Sequence, residues 1–309
     1  MKIVFMGTPE FAVPCLEVLI QNFEVTAVFT QPDRPKGRGK KLAMSAVKEH
    51  ALKYDIPVYQ PEKIKKSDDI DVLKALAPDL IIVVAYGQML SQEILDIPKM
   101  GCINVHASLL PKLRGAAPLN FAIVNGETES GVTTQYMVRK MDEGDVIDKI
   151  TVDIPMDMTA GMLHDELSSK GGEVILKTVL DIQKGIINRT PQIDAEATYA
   201  PLMDKEMAII NWSKSAFEIH NLVRGFNPWP VATTTIDGEK MKVFITEILE
   251  TSSTGQPGEV VSVSSDGIVV NCADKHLLLK EIQMPNKKRM TVSQYILGNT
   301  IETGIKLGE

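Results

Sequence analysis

The chain has 309 residues, is 44% hydrophobic and 24% charged, and carries a formal net charge of -7 at pH 7. That length suggests about two domains, with enough chain to bury a core without covalent staples. An acidic total excludes a generic polyanion binder, so any contact with nucleic acid has to come from a local basic patch.

Lys2 to Met6 reads as a buried strand, ended by Gly7-Thr8-Pro9. A helix opening at Pro9 or Glu10 runs to about Gln21, because proline is tolerated in a first turn. Val25 to Thr30 is a second strand, followed by a loop from Gln31 to Lys41 and a helix from about Ser45 to Tyr54. The pattern continues with a short strand (Pro57 to Tyr59), a helix (Asp69 to Ala77), an apolar strand (Asp79 to Ala85), a short helix (Ser91 to Leu95) and a strand (Gly101 to Val105). Ala116 to Val124 reads as a helix, Val132 to Val138 and Val146 to Val152 as strands, and Ala160 to Lys184 as a long helix in which Gly171-Gly172 marks a kink or a close approach. Strands alternating with helices imply an α/β domain with a mostly parallel sheet. This domain is expected over residues 1–188, with a polar, proline-bearing linker over 189–206. Residues 207–309 carry a helix (Ser213 to Arg224) and then short β-rich segments split by Asp237-Gly238, Pro257-Gly258 and Asp266-Gly267. That spacing suggests a small β-barrel.

Cys15, Cys102 and Cys272 are widely spaced and odd in number. This argues for a reducing compartment and against a disulfide framework, and a free cysteine is usually a buried small hydrophobe. His50, His164, His220 and His276 show no ligand spacing, so no metal is expected. The first residues lack signal-peptide form and no apolar run approaches the roughly 20 residues a bilayer span needs. A cytoplasmic protein without a membrane partner is expected, and no obligate protein partner is evident. Gly7-Thr8-Pro9 lacks the spacing of a dinucleotide fingerprint and the Lys-Ser/Thr of a phosphate loop.

The most informative stretch is Asn104-Val105-His106-Ala107-Ser108-Leu109-Leu110-Pro111. Asn104 and His106 sit two apart at a strand end, so alternation puts both on one face. An amide and an imidazole converging there suit the stabilisation of a developing oxyanion, and sites in such sheets cluster at the carboxyl ends of strands. Asp142, in the turn Met141-Asp142-Glu143-Gly144-Asp145, is a weak signal alone, since Asp and Gly are common in turns. Paired with His106 it would orient the imidazole and help carry a proton. In Gln31 to Lys41, Arg34, Lys36, Arg38, Lys40 and Lys41 face Asp33 alone; such a strap is either a solvated loop or a phosphate binder. Phe11 is either core or an apolar wall of the site, and Asn227-Pro228-Trp229-Pro230 reads as a packing corner of the second domain.

These motifs, with Arg114-Gly-Ala-Ala-Pro118 and Asp142-Glu-Gly-Asp145, resemble the folate-dependent formyltransferases. Phe5-Met-Gly-Thr-Pro-Glu-Phe11, the basic loop and Arg224-Gly-Phe-Asn-Pro-Trp-Pro230 point to the branch of that family acting on tRNA. The resemblance implies a Rossmann-like N-terminal domain that binds 10-formyltetrahydrofolate and an OB-like C-terminal barrel that helps hold initiator methionyl-tRNA. It implies formyl transfer to the methionyl α-amine, for translation initiation, with Asn104, His106 and Asp142 as catalytic residues. Folate contacts would fall at Ser108, Leu109, Leu110 and Pro111, and at Gln88, Met89 and Leu90. The tRNA would meet Arg34, Lys36, Arg38, Lys40 and Lys41, and Phe11 would line a methionine pocket. Two other readings stay open: a formyltransferase for a nucleotide-linked amino sugar, and a noncatalytic RNA-binding protein using the barrel as its platform.

Overall fold

The computed structural model describes residues 1–36 and 41–309. They form two compact units, one built from Met1–Pro118, Ser130–Val152 and His164–Ala200, the other from Leu119–Glu129, Asp153–Leu163 and Pro201–Glu309.

In chain order the elements up to residue 200 are β1 (Lys2–Gly7), α1 (Val13–Asn22), β2 (Glu24–Phe29), β3 (Arg34–Lys36), β4 (Lys41–Ala43), α2 (Ala46–Leu52), β5 (Val58–Tyr59), α3 (Ser67–Leu76), β6 (Leu80–Val84), α4 (Gln92–Leu95), β7 (Cys102–His106), β8 (Arg114–Gly115), α5 (Pro118–Val124), β9 (Glu129–Tyr136), β10 (Val146–Asp153), α6 (Ala160–Gln183) and β11 (Tyr199–Ala200). Seven strands make one sheet in the order β10-β9-β7-β6-β1-β2-β5. The pairs β1–β2, β1–β6, β6–β7 and β2–β5 are parallel, and β7–β9 is antiparallel. β6, Leu-Ile-Ile-Val-Val, is buried at all five positions. A continuous apolar run of this kind belongs to a parallel strand covered on both faces, and alternation would have meant one wet face.

The strand order reverses direction between β1 and β6. From β1 the chain builds outward to β2 and β5, and from β6 it builds the other way to β7. The carboxyl ends at such a switch point form a crevice where ligands of open α/β sheets sit. Here the two ends are tied together, since Thr8 Oγ1 and Gln31 Nε2 both donate to Tyr86 O, at 2.9 and 3.2 Å.

Local chemistry accounts for the helices. Pro14 lies in the first turn of α1, and Ser45 caps α2 by accepting from Lys48 N at 3.0 Å, a contact that typically contributes about 1 kcal/mol. The double glycine in α6 marks a close approach, and the helix runs through it unbroken. A Cβ on Gly171 would stand 3.1 Å from Cys15 Sγ, and one on Gly172 3.2 Å from Pro14 O. All three cysteines are buried, and burial pushes each thiol up to about 12, so none is a nucleophile at neutral pH.

Two segments differ from the sequence reading. The tract from Gln31 to Lys41, expected as loop, contains a short antiparallel pair, Arg34↔Ala43, Pro35↔Leu42 and Lys36↔Lys41; its lysines, proline and glycines concealed a ladder of only three residue pairs. The stretch expected as a linker is fastened down over much of its length. β11 pairs in parallel with β8, Leu113 N donates to Thr198 Oγ1 at 2.9 Å, and Val146 pairs with Thr190.

The second unit is built on α7 (Ala216–Gly225), β12 (Ala232–Ile236), β13 (Glu239–Ser252), β14 (Val260–Ser264), β15 (Gly267–Asn271), β16 (Lys275–Gln283), β17 (Met290–Thr291) and α8 (Val292–Tyr295). The strands form one antiparallel sheet, β12-β13-β16-β15-β14, with β17 on β16. Its core holds Ile219, Val223, Met241, Val243, Leu277 and Leu279, all under 3% exposed. Ser215 and Glu218 close a reciprocal capping box on α7. The corner at 227–230 corrects one expectation. Trp229 stands 51% exposed, and the packing there comes from Asn227, whose side chain donates to Phe244 O at 2.9 Å. Trp212 is the indole in the core, donating to Thr234 Oγ1 at 2.9 Å.

Candidate active site

The register of β7 sets the site. Asn104 lies opposite Gln135 and His106 opposite Thr133 on β9, so the side chains of 104 and 106 leave the sheet on one face, as alternation requires. The turn after β9 delivers Asp142 to that face. Its Oδ1 accepts from Gln135 Nε2 at 3.2 Å and lies 3.5 Å from Asn104 Nδ2 and 3.6 Å from His106 Nδ1. Its Oδ2 accepts from Gly115 N at 2.8 Å. Asp142 has a φ of +57°, a left-handed conformation that costs an L-residue about 1 kcal/mol or more and persists only where the surroundings enforce it. Gly144 and Gly115 are part of that enforcement. A Cβ on Gly144 would lie 1.6 Å from Tyr136 O, and one on Gly115, whose φ is +119°, would lie 2.5 Å from Ala200 O.

The imidazole orientation is decided by its other nitrogen. His106 Nε2 faces Leu113 O at 3.0 Å; a carbonyl only accepts, so Nε2 carries a hydrogen. Nδ1 is then the nitrogen that faces Asp142 and is free to act. Protonated at both positions, the ring donates through Nδ1 between the carboxylate and whatever oxygen binds beside it. At 3.6 Å the Asp142 contact is too long for a hydrogen bond, and at 3.5 Å the Asn104 contact is marginal. An amide donor and an imidazole nitrogen, the latter a donor only when the ring is protonated, thus converge with their capacity mostly unspent, on side chains that are largely buried.

The segment after β7 is pinned from several sides. Thr133 Oγ1 donates to Ser108 O at 2.6 Å and accepts from Leu110 N at 3.2 Å. Ser108 Oγ donates to Lys112 O at 2.6 Å, and Lys149 Nζ donates to Leu110 O. Burial holds Lys149 below the usual lysine value, against the opposing charge of Glu196. Leu109 packs over Gly131, where a Cβ would come within 2.5 Å of its Cδ2, and the Leu110–Pro111 bond is cis.

The other residues singled out from sequence stand as follows. Gln88 spends its side chain on the segment between β5 and α3, accepting from Ile64 N and donating to Pro61 O, both at 2.9 Å. Met89 is exposed and Leu90 is buried. Phe11 is buried, with its ring edge on His164 at 5.5 Å between centroids. Arg34 is exposed. Arg38 and Lys40 lie outside the described residues, as do the side chains of Lys36 and Lys41.

Sequence reasoning missed Gln135, Thr133, Lys149 and Gln192, and it quoted Arg114 only as part of a motif. Arg114 is 1% exposed. It donates through Nε and Nη2 to Gln192 Oε1 at 3.1 and 2.9 Å, and through Nη2 to Asp194 Oδ1 at 2.8 Å. Burial works against its charge, but the bonds to Asp194 and Tyr199 outweigh that and hold the guanidinium above its ordinary value. Among the described residues, no group of three or more His, Cys, Asp or Glu side chains is arranged to hold a metal ion, and no helix is long and apolar enough to cross a membrane.

A mostly parallel sheet presenting an amide, an imidazole and a carboxylate at a strand end defines an α/β enzyme suited to addition at a carbonyl carbon. A family model described as Formyl transferase matches residues 1–179, and one described as Formyl transferase, C-terminal domain matches 202–300. The chain belongs to the formyl transferase family. It is 56% identical over 309 residues to a methionyl-tRNA formyltransferase of Clostridioides difficile, covering 100% of each chain. It is 54% identical over 310 residues to one of Clostridium botulinum, again covering 100% of each. Among solved structures, the fold is shared with an N-formyltransferase from Helicobacter canadensis in complex with folinic acid and dTDP-3-aminofucose. That likeness has a TM-score of 0.67 at 21% identity, over 92% of this chain and 99% of the other.

Proposed function

We propose that this formyltransferase moves the formyl group of 10-formyltetrahydrofolate to the α-amine of initiator methionyl-tRNA, and that Asn104, His106 and Asp142 carry the chemistry. The observation that carries the reading is the pair of under-used nitrogens, Asn104 Nδ2 and His106 Nδ1, poised around Asp142 Oδ1 at 3.5 and 3.6 Å; Nδ1 donates when the ring is protonated. The acceptor is supported by the full-length relatives, both of which are methionyl-tRNA formyltransferases.

The donor set suits a formyl group, whose oxygen gains negative charge when an amine adds to its carbon. The folate supplies that activated one-carbon unit. Asn104 and His106 stabilise the developing charge, donors of this type contributing about 3 kcal/mol each. Asp142 orients His106 and takes part in moving the proton lost by the amine to N10 of the folate as the formyl C–N10 bond breaks and tetrahydrofolate leaves. Ser108 to Pro111 and the Gln88 to Leu90 segment hold the folate, the first made rigid by Thr133 and Lys149 and the second rising at the switch point of the sheet. Arg34, Lys36, Arg38, Lys40 and Lys41 grip tRNA phosphates, Arg38 being flanked by glycines that let its fork approach closely. Phe11 borders the methionine side chain.

The experiment offers labelled 10-formyltetrahydrofolate with methionyl-tRNA, a nucleotide-linked amino sugar or water in parallel. Label is expected on the methionyl-tRNA. Label on the sugar, or release of formate with no acceptor, overturns the assignment of substrate.

A further inference from the structure

We infer that Gln192, backed by Arg114, is a positioning residue for this reaction: it clamps the turn that carries Asp142. The inference rests on the catalytic reading of Asp142. Gln192 lies between the two matched family segments, 1–179 and 202–300, in the stretch that sequence reads as a mere connection.

The side-chain amide of Gln192 is used at both ends. Its Nε2 donates to Asp142 O and to Gly144 O, each at 2.7 Å, and lies 3.3 Å from Gln135 Oε1. Its Oε1 accepts twice from Arg114. A guanidinium only donates and a carbonyl only accepts, so the amide has a single sensible orientation. Gln192 therefore bridges the backbone on both sides of Glu143 and also approaches Gln135, which itself donates to Asp142 Oδ1. The turn it grips is the one with Asp142 at φ +57° and Gly144 pressed on Tyr136 O. A left-handed aspartate needs such external enforcement. Without it the carboxylate relaxes away from Nδ1 of His106, and misplacement of about 1 Å typically costs about 10²-fold in rate.

Arg114 acts by holding Gln192, assisted by Asp194 at 2.8 Å and Glu143 at 3.8 Å. Its backbone sits in β8, paired with β11, so the strand pairing brings the 190s segment to the back of the site.

The test compares Gln192→Glu and Gln192→Met in the full-length protein, each with wild-type Asp142 and again with Asp142→Ala. Gln192→Glu keeps a partner for Arg114 but turns an oxygen towards two carbonyls. Gln192→Met removes the donors without adding charge and guards against a folding failure of the first variant, with thermal unfolding as the control. With Asp142 present, kcat is expected to fall about 10- to 100-fold while KM for folate and tRNA shifts by less than about threefold. In the Asp142→Ala background the same substitutions are expected to change the residual rate less than about twofold, because residues that act through one group are non-additive. Equal losses in both backgrounds, or wild-type kcat in folded Gln192→Met, overturn the inference. An Asp142→Ala enzyme with wild-type kcat overturns instead the catalytic reading beneath it.

Discussion

Asp142→Ala is expected to lower kcat for formyl transfer by about 10³-fold, inside the range for loss of a positioned acid–base group, with KM for folate nearly unchanged. The carboxylate joins four groups. Gly115 N holds Oδ2 at 2.8 Å, and Gln135, Asn104 and His106 converge on Oδ1. On the proposed mechanism its removal takes away the proton route and the group that aims the imidazole, while Nε2 of His106 stays bonded to Leu113 O. Asp142→Asn should fare little better. An amide has one accepting end and would turn its donors against either Gly115 N–H or the Gln135 and Asn104 amides. Steady-state kcat and KM settle the matter, and a kcat within threefold of wild type would remove Asp142 from the chemistry.

Gly144→Ala is the second large effect. The new methyl group would lie 1.6 Å from Tyr136 O and 2.8 Å from Tyr136 C. Those are backbone atoms of β9, the strand that pairs β7 through Ile103↔Tyr136, so neither side yields without shifting β9 or the turn that carries Asp142. Overpacking of this kind costs about 3 kcal/mol when the structure cannot relax. The midpoint of denaturant unfolding should fall accordingly, and the folded fraction should lose activity through the displaced Asp142. Unchanged stability together with unchanged kcat would mean the turn does not hold Asp142 in the way described.

How much of this was legible beforehand depended on the range of each interaction. β6 and the Asn104–His106 pair were readable because five apolar residues in a row, or two polar residues two apart, express strand geometry within a few positions. Asp142 needed the resemblance, since an aspartate in a glycine-bearing turn is ordinary turn chemistry and Gly115 and Asn104, two of its partners, lie 27 and 38 residues away. Gln192 and Arg114 stayed hidden for the same reason in stronger form. Their contact spans 78 residues and depends on a two-residue strand pairing that carries no periodic signal. The glycines of α6 were ambiguous for a different cause: a kink and a close approach place the same demand on sequence, and only the neighbouring helix α1 decides between them.

The measurement closest to the central claim is single-turnover transfer by His106→Ala, with folate and methionyl-tRNA both bound at saturation. On the proposal that the imidazole stabilises charge that exists only during transfer, binding of both substrates should match wild type while the transfer step slows at least about 10²-fold. Transfer at the wild-type rate from an equally occupied complex would contradict the assignment of the chemistry to the cluster of Asn104, His106 and Asp142.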